Sequence, residues 1–593
     1  MGRTRLFNAI HVTHEAVYKV GGIGTVLEGL VNARAYRDGV GRTVLVCPLF
    51  YPENTQRLGP TGIVEYSSLD QVYGGPYADA FRRVERDFNV RITYGRRPLE
   101  DEASGRRTIC EVLLIDLRGI HVDRVNALKG LLWEHFRIPS DRYQHIWEFE
   151  QYVQLAAPAA AALEALQLAT GDAPAVVFAH EFMGVPTALA LQVLHRARYR
   201  TLFHAHETAP VRRLVEAHPG HDVMFYNTLE LARRGGLYLD QVFGPQDDYF
   251  KWPLVAATHR CDGVLAVGHH VVRELQFLAS DFDHADITLA YNGVPVATPT
   301  LAERRAARAR LNRYFEILLG WQPDLIFTHV TRLAPSKAMW RDFDVLLALD
   351  RRLVEQGRRA VLLVLSTELP RRPAGDILHM EEAWDWPLAH REGGPDLTGG
   401  EARYYQLVQA FNTRARNIRA VYINQFGFDR ARAGRRVPAD VEFLDLRRAT
   451  DAEFGLSLYE PFGISPLEPL TYGGICVVST TCGCAGFVRQ VLGPRKSPNV
   501  LLVDYIAAVE APRTIKDALA INATERREVE HRLAPQIADQ LLKMLPADEA
   551  AEQKLLRGGS ELASRMSWDV VAERFVWPAI RRACGRWRLI NVA

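Results

Sequence analysis

Short apolar runs rich in β-branched residues alternate along most of this chain with longer stretches whose apolar residues recur every three or four positions. In the first half the short runs fall at 6–12, 43–47, 109–115, 175–179, 201–204, 263–267 and 287–290. Helical periodicity separates several of them, as at 185–196 and 271–279. This alternation predicts strands joined by crossover helices, hence parallel sheets covered on both faces. The rhythm restarts with runs at 325–331, 360–366, 418–424, 454–458, 475–479 and 500–503, and helical patterns at 343–356 and 402–416. Each half can therefore build its own doubly wound α/β sheet.

Between the halves, the stretch 292–313 runs from YNGVPVATPT into a charged helical pattern and suits a linker. We expect a first Rossmann-like domain at 1–305, a second at 306–565 and a closing helix at 566–593. Two segments break the rhythm. Residues 52–107 read as an insertion in the first domain, and 369–401 as a surface loop of the second. The final helix, in SWDVVAERFVWPAIRRACG, has an apolar face of Val570, Val571, Phe575, Val576 and Ile580.

Charge adds an exclusion. Lys and Arg number 72 against 70 Asp and Glu, so the net charge is +2. That balance gives no bulk reason to expect nucleic acid or an anionic membrane as partner. Seven cysteines over 593 residues are too sparse for a disulfide framework, and Cys482 and Cys484 read as small buried thiols. The first residues lack the apolar core of a secretory signal, and no apolar run reaches a membrane-spanning length. A cytoplasmic protein is expected, and an oligomer of identical chains is compatible with it.

Four groups could carry chemistry. KVGGIGT at 19–25 follows the first strand, and its glycines let backbone approach a ligand while a helix over 25–36 points its amides at an anion. It matches neither the Walker nor the dinucleotide fingerprint and reads equally as a tight turn. TRLAPSK at 331–337 ends the first strand of the second domain, and Arg332 with Lys337 could neutralise a diphosphate. In EPFGISPLE at 460–468, Glu460 and Glu468 flank a strand-to-helix turn, with Pro466 in the first turn of the helix. Each carboxylate could accept hydrogen bonds from adjacent sugar hydroxyls. Finally, His180 with Glu181 and His204 with His206 follow two strands of the first domain. They could hold a metal, line a polar cleft or be structural. With no helical HExxH pattern, cleft lining is the expected reading and no metal is expected.

Taken in order, these segments resemble the glycogen and starch synthase family of GT-B glycosyltransferases, in the style of its eukaryotic-type glycogen synthases. HEAVYKVGGIGTVLEGL resembles the family's N-terminal glycine loop, and FAHEFMGVP its acceptor-side histidine segment, with Phe182 where Trp is usual. HAHETAPVRR resembles its histidine-bearing turn, and HRCDGVLAVGHHVVRE with YNGVPV the end of its first domain. TRLAPSK and LYEPFGISPLEPLTYG resemble the diphosphate-binding and glutamate-pair segments, with Phe462 for Trp. The likeness runs from about Arg5 to Trp587.

The resemblance implies a GT-B fold with two Rossmann-like domains facing across a cleft. It implies retaining transfer of glucose from ADP-glucose or UDP-glucose to an α-1,4-glucan, with no cofactor. Glu460 would hold donor hydroxyls and Glu468 the ribose, while Arg332 and Lys337 would stabilise the departing diphosphate. Lys19, Gly21 and Gly22 would close over phosphate and sugar. Phe462, Gly463 and Tyr459 would shape the donor site, Tyr459 near the base. His206 would sit by the reacting sugar, with His180, Glu181 and Arg212 on the acceptor side. A related enzyme making a small glycoside or another polysaccharide, and a non-catalytic carbohydrate-binding relative, remain alternatives. No arginine cluster like that used for sugar-phosphate regulation is visible near the C-terminus, so no activation by glucose 6-phosphate is expected.

Overall fold

A computed structural model describes residues 7–19, 21–101, 104–169, 175–369 and 371–590. Leu6, which opens the first predicted strand, and Arg5 lie outside them. The chain forms two compact units. One comprises Met1–Val211, Ala232–Gly293 and Trp568–Ala593, and the other Arg212–Leu231 and Val294–Ser567. The main change of unit thus falls at Gly293, ahead of residue 305, and a short piece of the first half belongs to the second unit.

The first unit is built on β1 (Phe7–Val12), β2 (Val40–Pro48), β3 (Ile63–Ser67), β4 (Val72–Tyr73), β5 (Arg91–Asp101), β6 (Arg106–Asp116), β7 (Ala175–His180), β8 (Tyr199–Ala205), β9 (Gly263–Ala266) and β10 (Ile287–Leu289). Their order is β10-β9-β8-β7-β1-β2-β6-β5-β3-β4. From β10 to β6 every pairing is parallel, as the strand–helix alternation predicts. β1 lies between β2 and β7, so the order reverses there, which is where doubly wound sheets bind ligands. The segment read as an insertion is part of this sheet. It supplies β3, β4 and β5, which extend the edge at β6 with antiparallel pairing.

The second unit holds β11 (Leu325–Val330), β12 (Ala360–Leu365), β13 (Ile418–Ile423), β14 (Ala452–Gly455), β15 (Ile475–Ser479) and β16 (Val500–Val503). The order β13-β12-β11-β14-β15-β16 is parallel throughout and reverses between β11 and β14. β14 ends at Gly455, earlier than the predicted 458, and the Leu458 and Tyr459 amides bond a neighbouring loop in place of a strand.

The segment 369–401 is no surface loop. It contains the helix Ala374–Trp384, and Ile377, Met380 and Trp386 join the core formed with Ile326, Val361, Val421 and Ile423. Trp386 donates its indole N–H to Asn424 Oδ1 at 2.9 Å. Its many Gly, Pro and charged residues hide an apolar face. Among the described residues no helix is long and apolar enough to cross a membrane.

The C-terminal residues from Trp568 belong to the first unit. Asp569 accepts a bidentate pair of hydrogen bonds from Arg106, both at 2.8 Å. The Trp568 indole lies over Gly29, where an added Cβ would fall 2.0 Å from its Nε1, and against Gly293. Gly29 sits inside the helix Gly22–Asn32, so only its lack of a side chain explains the fit. Gly29→Ala should therefore destabilise the first unit by about 1–3 kcal/mol through overpacking. Thermal unfolding and proteolysis after residue 567 would register this, and an unchanged variant would mean the indole is not seated there.

Candidate active site

The second unit brings two of its candidate loops together. TRLAPSK leaves the end of β11 and LYEPFG the end of β14, the strands that adjoin at the reversal of order. Ser336 stitches them: its carbonyl accepts from the Leu458 amide at 2.7 Å and the Tyr459 amide at 3.3 Å. Lys337 follows at the end of a single 3-10 turn, Pro335–Lys337, and Ala338 takes a left-handed φ of 47°. With the loops so fixed, the Lys337 ammonium pairs with the Glu460 carboxylate. Both side chains keep some exposure, 12% and 16%.

A third segment supports Glu460 from behind. The Gly483 amide donates to the Glu460 carbonyl at 3.0 Å, and the Cys484 amide to the Phe462 carbonyl at 2.8 Å. A Cβ on Gly483 would come within 1.9 Å of the Pro461 carbonyl, so glycine is needed for this approach. Gly463 turns the chain with φ 89°.

Glu468 lies on a 3-10 helix, Ser465–Tyr472, where an α-helix was expected; Pro469 inside it removes an amide that an α-helix would need. Arg447, a buried residue the motifs did not single out, bridges Glu468 to Glu453, meeting Glu453 at 2.9 Å. Its second terminal nitrogen also donates to Ser465 Oγ at 2.9 Å. Burial raises the Glu453 carboxyl, against the pull of Arg447 and the hydrogen bonds from Thr328 and the Val330 amide. Arg332 is exposed. Tyr459 and Phe462, expected to face the donor, are interior side chains at 2% exposure. They support the loop; its backbone and Glu460 are what remain for a ligand.

In the first unit the glycine segment is different from a loop. Its helix starts at Gly22, not at 25, and breaks at Ala33, which is extended. The buried Glu15 carboxylate accepts from the Gly24 amide at 2.7 Å. A Cβ at Gly21 or Gly24 would approach its oxygens to 2.9 Å. A carboxylate of the chain itself thus occupies the helix N-terminus where an external anion was expected. Lys19 is half-exposed and pairs with Glu28.

The histidines meet at the ends of β7 and β8. His180 shares hydrogen bonds with His206 at 2.8 Å and, through its other nitrogen, with His11 of β1 at 2.9 Å. His11 continues to the Tyr36 hydroxyl at 2.9 Å, and Tyr36 to Thr43 at 3.1 Å. Glu181 holds a left-handed φ of 56°, which aims its carboxylate at the Glu207 amide, 2.7 Å away. His180, Glu181 and His204 are buried, whereas His206 is partly exposed. The expected cleft lining thus applies to His206 alone. Arg212 is assigned to the second unit and pairs with Glu216, 3.0 Å away on its own helix.

Two sheets with parallel cores, with candidate residues beyond the carboxyl ends of β1, β7 and β8 in one and of β11 and β14 in the other, define a known architecture. The catalytic domain of starch synthase IV from Arabidopsis thaliana, bound to ADP and acarbose, matches with a TM-score of 0.51 at 15% identity, over 98% of this chain and 100% of that one. The fold is GT-B. An α,α-trehalose-phosphate synthase (UDP-forming) from Burkholderia xenovorans, in complex with glucose 6-phosphate, matches at 0.50 and 15% identity, over 97% and 100%. The N-terminal domain of a Candida albicans trehalose-6-phosphate phosphatase matches at 0.50 and 11%, over 98% of each chain. No protein-family model and no curated protein sequence matches the chain.

Within this GT-B fold, the residues the motifs missed had quiet signals. His11 in FNAIHV and Glu453 in AEFG are fully buried polar residues inside strands. A buried polar group needs partners, so each marks a network. Arg447 and the Ser336 carbonyl gave no such sign.

The histidine network also sets a pH response. Unfolded, these rings protonate near 6.5; burial holds His11 and His204 down to about 3 and moves His180 and His206 well below 6.5. The unfolded chain therefore binds more protons below 6.5, and this stability, complete above 6.5, is lost progressively as pH falls from there to the depressed values. Glu181, raised by burial and by Glu207, works with the opposite sign, but it is one carboxyl against four rings. The urea midpoint should fall steeply from about pH 7 to about pH 5, and a level profile would contradict the burial of these rings.

Proposed function

We propose that this chain is a retaining glycosyltransferase that moves glucose from ADP-glucose or UDP-glucose to the non-reducing end of an α-1,4-glucan. The observation that carries the reading is the Lys337–Glu460 pair on two loops fixed by the Ser336 carbonyl. A cation beside a carboxylate that accepts hydroxyl hydrogens suits a substrate with a diphosphate on one side and sugar hydroxyls on the other. On donor binding the diphosphate takes over Lys337, aided by the exposed Arg332, and Glu460 turns to the sugar hydroxyls. Glu468, oriented by Arg447, takes the ribose.

Breaking the anomeric bond builds negative charge on the diphosphate, and fixed cations answer it without reorganising. The acceptor attacks from the face the diphosphate leaves, and a diphosphate oxygen takes its proton, so configuration is retained. In the first unit the same reading gives Lys19, Gly21 and Gly22 to phosphate and sugar oxygens. It gives His206 to the reacting sugar, and His180, Glu181 and Arg212 to the acceptor side. No cofactor enters these steps.

The test is a donor screen with ADP-glucose and UDP-glucose, with glycogen, with glucose 6-phosphate or with neither, read by mass spectrometry. Glucan extension supports the reading. The glucose 6-phosphate arm is included because the Burkholderia xenovorans synthase, of equal likeness, is described with that sugar phosphate bound. A disaccharide phosphate product would move the acceptor to that class. Glucan binding without turnover of either donor would sink the enzyme itself.

A further inference from the structure

We propose that His180, His204 and His206 form a metal site that takes Zn2+, or a similar borderline divalent ion, through three imidazole nitrogens. Two of these rings, His180 and His206, are ones the proposed function sets beside the acceptor and the reacting sugar, and the test below reads metal binding without turnover. One nitrogen of each ring lies within 4.8 Å of the other two. The ring centroids of His204 and His206 are 4.2 Å apart, and those of His180 and His206 5.1 Å. Parallel pairing of β7 with β8 sets His180 directly beside His204, so register supplies the third ligand that spacing along the sequence could not reveal.

A second observation points to a ligand. His204 is 2% exposed, yet neither of its ring nitrogens has a hydrogen-bond partner. Buried polar groups are nearly always satisfied, and in a neutral imidazole one of these two nitrogens carries a lone pair that asks for an acceptor. A metal ion is one.

The outer partners fit as well. A metal-bound histidine holds its ring by donating its other N–H to a fixed acceptor. His180 has such an acceptor in His11, His11 in Tyr36, and Tyr36 in Thr43. If each donates outward in that order, His180 Nδ1 is left with a lone pair directed at His206 and the cluster. Zn–N bonds of about 2.0–2.1 Å would set the nitrogens roughly 3.3 Å apart in a tetrahedron. The 2.8 Å separation of His180 and His206 would open slightly, by rotation of the partly exposed His206 ring. Three protein ligands leave the fourth position to water.

The experiment is calorimetric titration of the chelator-stripped full chain with ZnCl2, repeated with CoCl2 and read by visible absorption. One ion per chain, with a tetrahedral cobalt spectrum, is the expected result. Tyr36→Phe, which shortens the outer relay, should weaken affinity about 10-fold, and His206→Ala about 100-fold or more. His204→Ala should behave like His206→Ala; the partly exposed His206 keeps the test valid if the strand variant does not fold. His145→Ala, at an exposed position, should bind as the wild type does. Fewer than one ion per chain, or a His206→Ala variant of unchanged affinity, overturns the site.

Discussion

Lys337→Ala should lower glucose transfer by about 10²–10³-fold, mostly in kcat, because the ammonium answers charge that develops only as the diphosphate departs. The donor KM should change much less. Initial rates with the donor found by the screen, at saturating acceptor, would separate the two constants. Glu460 becomes unpaired in this variant, so a fold effect has to be distinguished from a chemical one. Lys337 and Glu460 both touch solvent, and a pair that water can reach contributes little to stability. The thermal midpoint should accordingly stay close to that of the wild type. Arg332→Ala, which removes an exposed cation, should also slow turnover, by a smaller factor. Near-normal rates in both variants would end the assignment of the leaving group to this loop.

Arg341→Ala carries the largest expected stability loss, about 3–5 kcal/mol, since it leaves the buried Asp222 carboxylate without its cation and takes one cation from Glu530. Arg341 is fully buried, bonded to Asp222 at 2.8 and 3.0 Å and to Glu530 at 2.8 Å, with its guanidinium 3.9 Å from the Tyr505 ring centre. Arg526 adds a second cation to Glu530 at 2.9 Å. The asymmetry of buried ion pairs decides the magnitude: losing one partner costs far more than losing all. Arg341→Met combined with Asp222→Ala, which leaves Glu530 to Arg526, should recover much of the deficit, although it removes more contacts. Urea unfolding of the full chain, with hydrogen exchange followed in the helix Trp340–Gln356, measures both. If Arg341→Ala costs less than about 1 kcal/mol, the cluster is reached by water and acts as a surface network.

The parallel architecture was legible because crossover strands buried on both faces are nearly continuous apolar runs, such as AVLLVL in β12. The edge formed by β3, β4 and β5 was not. Its strands alternate polar and apolar residues and lie among turns, so periodicity marked the segment only as an interruption. Trp386 was hidden for a related reason: its neighbours are Gly, Pro and charged residues that signal a loop locally, while long-range packing decides otherwise. In the site, residue types were readable but partners were not. Lys337 and Glu460 are 123 positions apart, and what unites them is a carbonyl of Ser336, which no side-chain motif encodes. The glycine segment misled for a physical reason. Glycines that admit a ligand and glycines that admit Glu15 look alike until the carboxylate is placed.

The seating of Trp568 over Gly29 bears on biosynthesis. The partner of a helix made among the first residues leaves the ribosome only after the whole stretch Val294–Ser567 has been translated. At roughly 5–20 residues per second that delay is on the order of tens of seconds. Through that interval the nascent unit carries an unfilled slot above Gly29, and Arg106 lacks the carboxylate of Asp569.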